Sequence, residues 1–132
     1  MTENRILRVG LIGAGLQGGR RAPVLKQFPR TELVMVAAAH PEQARQLADS
    51  MGCQATDNWQ EVVEREDINV IVVCTPPNLH APISIAAMSR GKHVLCEKPM
   101  CLKVEDADKM IDAAKKNGKK LFVVALRAED AK

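Results

Sequence analysis

The sequence predicts an α/β protein built as a doubly wound, mainly parallel six-stranded sheet with helices on both faces. Short β-branched runs alternate with longer stretches of helical spacing, the pattern of strands joined by crossover helices. The runs "LVMVAAA" and "INVIVVC" are apolar without alternation, as strands are when helices cover both faces. The length of 132 residues suits one core, and two domains would be crowded.

The elements follow in order. "RVGLIG" (8–13) is the first strand, and a helix runs from Gly15 to Phe28. Pro23 falls inside it, where its ring presses on the carbonyl of residue 19; Gly19 eases that strain, so a kinked helix is expected. "ELVMVAA" (32–38) is the second strand. "PEQARQLADSM" (41–51) is a helix with Pro41 in its first turn and Gly52 at its end. "CQAT" (53–56) is a short third strand, "NWQEVVER" (58–65) a short helix, and "INVIVVCT" (68–75) the most buried strand. Asn78 then caps a helix to Arg90, stopped by Gly91. "KHVLCE" (92–97) is the fifth strand and "VEDADKMIDAAKKN" (104–117) the last long helix. Gly118 suits its left-handed cap, and the cations of "KKNGKK" complement the helix dipole rather than form a ligand patch. "KKLFVVAL" (119–126) is the sixth strand, and 127–132 is a polar tail. The whole of 1–132 is therefore read as one domain.

Hydrophobic residues make up 46% of the chain, Tyr is absent, and Trp59, the lone Trp, is read as a packing residue in an aliphatic core. Nineteen basic residues against 16 acidic ones give a net charge of +3, spread along the chain, and only 2% of residues are aromatic. Such a surface offers little to stack on bases, so no nucleic acid partner is expected. The N-terminal segment lacks a signal-peptide core, and no apolar run approaches the ~18 residues of a membrane span, so a cytoplasmic protein without a membrane partner is expected. Cys53, Cys74, Cys96 and Cys101 form no CxxC pair; they are read as reduced, small hydrophobes, and no metal site is predicted.

"GAGLQG" lies between the first strand and the first helix, the context that gives G-x-G-x-x-G its meaning. Gly13 permits the tight turn, Gly15 the approach of a pyrophosphate to backbone N–H groups, and Gly18 the close packing of helix on strand. Leu16 and Gln17 belong to the same cofactor turn, and the helix N-terminus supplies donors for the phosphates. Arg20 and Arg21 are read as solvated or ion-paired rather than as phosphate ligands. A nicotinamide dinucleotide is thus the expected cofactor, in a Rossmann-like fold. NAD-binding versions usually carry an acid at the end of the second strand for the ribose hydroxyls. Here that end reads "VAAAHPE", with Ala38 and His40 as the cofactor-side candidates, so the expectation leans slightly to NADP.

Two later stretches add chemistry. "TPPNLH" follows the fourth strand and "EKP" the fifth, which places both at the carboxyl ends of strands, where open α/β sheets bind ligands. With "GAGLQG", "TPPNLH" and "GKHVLCEKP" in this order, the chain resembles the glucose-fructose oxidoreductase and inositol dehydrogenase family (Gfo/Idh/MocA) from Arg8 to about Leu126. The resemblance implies an NAD(P)-dependent oxidoreductase acting on a sugar- or polyol-like substrate. It implies that Thr75, Pro76, Asn78 and His80 line the cofactor cleft, that Glu97 bonds toward the nicotinamide ribose, and that Lys98 is the catalytic lysine beside the transferred hydride. Acid–base work suits Lys98, since a carbinol losing hydride must also lose its hydroxyl proton. Asn78 has a second reading as a plain cap, and His80 as a polar residue in the first turn of its helix.

Members of the family continue into a C-terminal α+β domain that shapes the substrate pocket, whereas this sequence ends shortly after the sixth strand, at "RAEDAK". The expectation is therefore that the family's second domain is absent and the chain is inactive alone. An excised domain, a split enzyme completed by another chain, and a short form that keeps cofactor binding all fit. The alternative function is a non-catalytic NAD(P)-binding or regulatory module. Apolar surface left uncovered is expected to draw a homo-oligomer or a partner chain onto the sheet.

Overall fold

A computed structural model of the protein describes residues 5–124. Six parallel strands form one sheet in the order β3-β2-β1-β4-β5-β6. The strands are β1 (Leu7–Ile12), β2 (Thr31–Ala37), β3 (Gln54–Thr56), β4 (Val70–Val73), β5 (His93–Cys96) and β6 (Leu121–Val123). Five helices connect them: α1 (Leu16–Gln27), α2 (Pro41–Met51), α3 (Trp59–Glu64), α4 (His80–Ser89) and α5 (Val104–Asn117). The chain starts at β1, builds outward to β3, then crosses back to β4, so the order reverses beside β1. That reversal leaves a crevice at the carboxyl ends of β1 and β4, where loops depart to opposite sides.

Aliphatic side chains fill both faces, as the composition requires. Ile71, Val73, Ile83, Met88 and Met110 join α3, α4 and α5 to one face. Val9, Leu11, Val36 and Val72 meet Ala22 of α1 and Ala48 of α2 on the other. Because α1 and α2 lie over β1, β2 and β3, the β4–β6 half of that second face carries an apolar groove of about 410 Å³, floored by Val70, Val72 and Leu95 and edged by Phe122.

α1 continues through Pro23, and α5 ends on Gly118 in the left-handed region (φ 63°), both as the sequence predicts. Several strand ends differ by one or two residues, β4 running Val70–Val73 rather than 68–75, and one helix start differs in kind. Asn78 does not cap the helix after β4: it lies inside a 3-10 turn, Pro77–Leu79, and α4 begins at His80 with no side-chain cap. Pro77 opens that turn, and the Leu79 N–H donates to the Pro76 carbonyl, so proline rather than Asn78 sets the start. β6 begins at Leu121 rather than at 119, and residues 125–132, which include the end of the predicted sixth strand and the polar tail 127–132, lie outside the described residues.

Candidate functional site

Backbone hydrogen bonds align the strand ends on one rim. Gly13 N–H donates to Ala37 O (2.7 Å), Cys74 N–H to Ile12 O (2.7 Å), Glu97 N–H to Val73 O (3.0 Å) and Ala38 N–H to Thr56 O (3.2 Å). The loops after β1, β2, β3, β4 and β5 are thereby brought side by side. A cleft of about 540 Å³ opens on this rim, and of the residues singled out from the sequence Gly13, Gly15, Leu16, Gln17, Ala38, His40, Thr75 and Pro76 line it.

The three glycines of the turn differ in local geometry. Gly13 takes φ 110°, a region that costs any other residue strain, and a Cβ there would sit 2.5 Å from the Cys74 backbone. Gly18 does not line the cleft. It is buried, and a Cβ on it would overlap the Gly13 carbonyl oxygen, so α1 can pass this close to the turn only without a side chain. Gly15 faces open space, with nothing within 4 Å of its would-be Cβ. It is also the N-cap of α1, with no side-chain cap and no acid in the first turn. The first N–H groups of α1 are thus left as donors at the cleft, where the helix dipole favours an anion.

Across the crevice, four predicted residues lie outside the cleft lining. Lys98 is exposed at the end of β5, next to a cis bond to Pro99. Glu97 is buried, and its Oε2 accepts from Arg21 Nε (2.7 Å), with Arg21 Nη2 at 2.6 Å. Arg21 is therefore the ion-paired residue the sequence predicts, and its partner is the Glu97 carboxylate. Asn78 is exposed in the 3-10 turn. His80 is only 1% exposed, with Nδ1 2.7 Å from Pro99 O and Nε2 2.8 Å from Thr75 O. Both neighbours are carbonyl acceptors, so the ring ties the loop after β4 to the loop carrying Lys98; it does not reach the cleft surface. Burial pushes the Cys74 thiol up to about 12 and the Cys96 thiol up to about 11, which keeps both protonated near neutral pH.

A family model described as "Oxidoreductase family, NAD-binding Rossmann fold" (GFO_IDH_MocA) matches residues 7–125. The chain belongs to the Gfo/Idh/MocA oxidoreductase family. It is 36% identical over 115 residues to the dTDP-3,4-didehydro-2,6-dideoxy-alpha-D-glucose 3-reductase of Streptomyces violaceoruber, over 86% of this chain and 34% of that protein. Its fold matches biliverdin reductase from Synechocystis sp., solved with biliverdin and NADP+, at TM-score 0.85 and 32% identity over 89% of this chain and 37% of that one. It also matches GenD2 of gentamicin A biosynthesis, solved with NAD, at TM-score 0.87 and 31% identity over 90% of this chain and 34% of that one. The chain spans about a third of the length of these relatives.

Within this Gfo/Idh/MocA domain, sequence reasoning missed Gln43, Asp57 and Trp59 as cleft residues. Trp59 packs against the core margin, as predicted, and also presents its surface to the cleft. The rule that ligands meet the carboxyl ends of strands applies to β3 as much as to β1 and β4, and it would have pointed to the residues just after Thr56. Among the described residues no helix is long and apolar enough to cross a membrane, and no group of three or more His, Cys, Asp and Glu side chains is placed to hold a metal.

Proposed function

We propose that this domain holds NAD(P) in the cleft beside Gly13 and Gly15 and presents its nicotinamide toward Lys98 for hydride transfer with a sugar- or polyol-like substrate. The observation that supports it most is the uncapped start of α1 at Gly15, open to the cleft and free of acidic side chains. The pyrophosphate fits there, accepting from the N–H groups of the first helical turn. Thr75 and Pro76, on the far wall, direct the dinucleotide along the crevice toward the loop after β5. Bound there, the nicotinamide supplies or takes up the hydride.

The chain's own residues do the rest. The Lys98 amine accepts the hydroxyl proton of a carbinol and the ammonium so formed steadies the developing alkoxide; in the reverse direction the ammonium returns the proton to the carbonyl oxygen. His80 positions it, because the Pro99 carbonyl held by the imidazole belongs to the residue next to Lys98. Arg21 holds the Glu97 carboxylate on the same loop, so the backbone on both sides of Lys98 is anchored to other elements.

A calorimetric titration with NAD+ and with NADP+ tests the reading, repeated on Lys98→Ala. Binding of at least one cofactor, with affinity kept in Lys98→Ala and any sugar or polyol turnover lost, is the expected result. A folded chain that binds neither refutes the cofactor reading, and full turnover by Lys98→Ala refutes the role of Lys98.

A further inference from the structure

The cofactor reading leaves open which dinucleotide the cleft selects, and the end of β3 bears on that choice. Ala37 pairs with Thr56, and Ala38 N–H bonds to Thr56 O at 3.2 Å, so Asp57 stands beside Ala38 on the same rim. The position where an acid is missing on β2 therefore has an acid one strand over, and Asp57 lines the cleft together with His40 and Gln43.

The neighbours of Asp57 are committed elsewhere, and Asp57 is not. Thr56 Oγ1 donates to Glu61 Oε1 (2.8 Å), and Asn58 Oδ1 caps α3 by accepting from Gln60 N–H (3.0 Å). Among the described residues, the exposed Asp57 carboxylate makes no hydrogen bond or ion pair. The described lining of the cleft holds no Lys or Arg.

We propose that Asp57 accepts hydrogen bonds from the adenosine ribose hydroxyls and selects NAD over NADP. The assignment rests on the dinucleotide reading above. Two carboxylate oxygens match two vicinal hydroxyls in charge-assisted bonds. A 2′-phosphate removes one of those donors and brings like charge against the carboxylate, with no Lys or Arg in the lining to offset it. The slight lean to NADP drawn from the uncharged end of β2 loses its ground once Asp57 stands next to it.

The test is calorimetric titration of the chain and of Asp57→Asn with NAD+ and NADP+, with thermal denaturation confirming that both are folded. The chain should prefer NAD+. Asp57→Asn should weaken NAD+ by about tenfold or more and improve NADP+, moving the affinity ratio toward or past unity. A ratio unchanged in Asp57→Asn overturns the proposal, including the case where both cofactors weaken equally, which is the mark of a carboxylate on the adenine amine. A preference of the unsubstituted chain for NADP+ overturns it too. No binding of either cofactor by the folded chain overturns the dinucleotide reading and this assignment with it.

Discussion

Gly15→Ala and Gly18→Ala add the same methyl group three residues apart and should fail in opposite ways. At Gly18 the new Cβ overlaps the Gly13 carbonyl oxygen and lies 2.8 Å from its carbon. That neighbour is backbone, locked by the Gly13 N–H bond to Ala37, so α1 must shift as a unit. Overpacking of this kind costs about 1–3 kcal/mol. For a domain of 132 residues, each kcal/mol lowers Tm by roughly 4 °C, so a fall of about 4–12 °C is expected. At Gly15 the methyl meets nothing within 4 Å, and its φ of −79° lies outside the left-handed region that favours glycine. The less favourable cap and the stiffer unfolded chain offset each other, leaving stability within about 1 kcal/mol. The same methyl, however, projects into the space assigned to the pyrophosphate, so the cofactor Kd should rise at least about tenfold, or roughly 1.4 kcal/mol. Thermal denaturation and calorimetric titration of the two variants give the comparison. A Gly15→Ala chain that binds cofactor like the parent, or a Gly18→Ala chain that melts like it, refutes the division of roles.

Two further outcomes follow from the charged groups. Arg21→Met removes the cation that, among the described residues, is bonded to the buried Glu97 carboxylate; since Arg21 is itself partly exposed, the low end of the range for a broken buried pair applies, about 3 kcal/mol by urea denaturation, and a loss below 1 kcal/mol would contradict a structural role for the pair. Burial, then the cations Lys119, Lys120 and Arg5, hold the His93 ring below its usual 6.5, and its Nδ1 accepts from Lys120 N–H (3.0 Å). The folded state thus disfavours the proton, so this stability is complete above pH 6.5 and is lost as pH falls through the lowered value. His93→Asn, which retains an acceptor without the titration, should flatten the acid side of the Tm profile, and an unchanged profile would count against the assignment.

The sheet was legible because its signal is local and redundant. Continuous apolar strands, a glycine between strand and helix, and Gly118 past the last helical turn each state a backbone requirement within a few residues. Where the reading failed, two local signals competed. In "TPPNLH", Asn78 is a good cap in isolation, but Pro77 immediately before it fixes φ early and opens a 3-10 turn that consumes Asn78. His80 shows a different limit. Nothing near it in sequence announces that its ring will meet the carbonyl of Pro99, nineteen residues later, because that contact exists only once β4 and β5 pair.

The same limit explains the charges of the site. A motif read along one strand assigns each function to the end of that strand: an acid after β2 for the ribose, and, as the family resemblance implies, Glu97 after β5 for the nicotinamide side. In a parallel sheet with every carboxyl end on one rim, the neighbour across a ladder is as near as the neighbour along the chain, about 4.8 Å away. Asp57 can therefore stand where β2 offers only alanines, and Arg21, arriving from α1, can take up the Glu97 carboxylate that the motif leaves unpaired. If the Asp57→Asn titration shifts cofactor preference, specificity in this domain is a property of the rim rather than of the second strand. The residue to inspect beside an uncharged β2 end is then the one after β3.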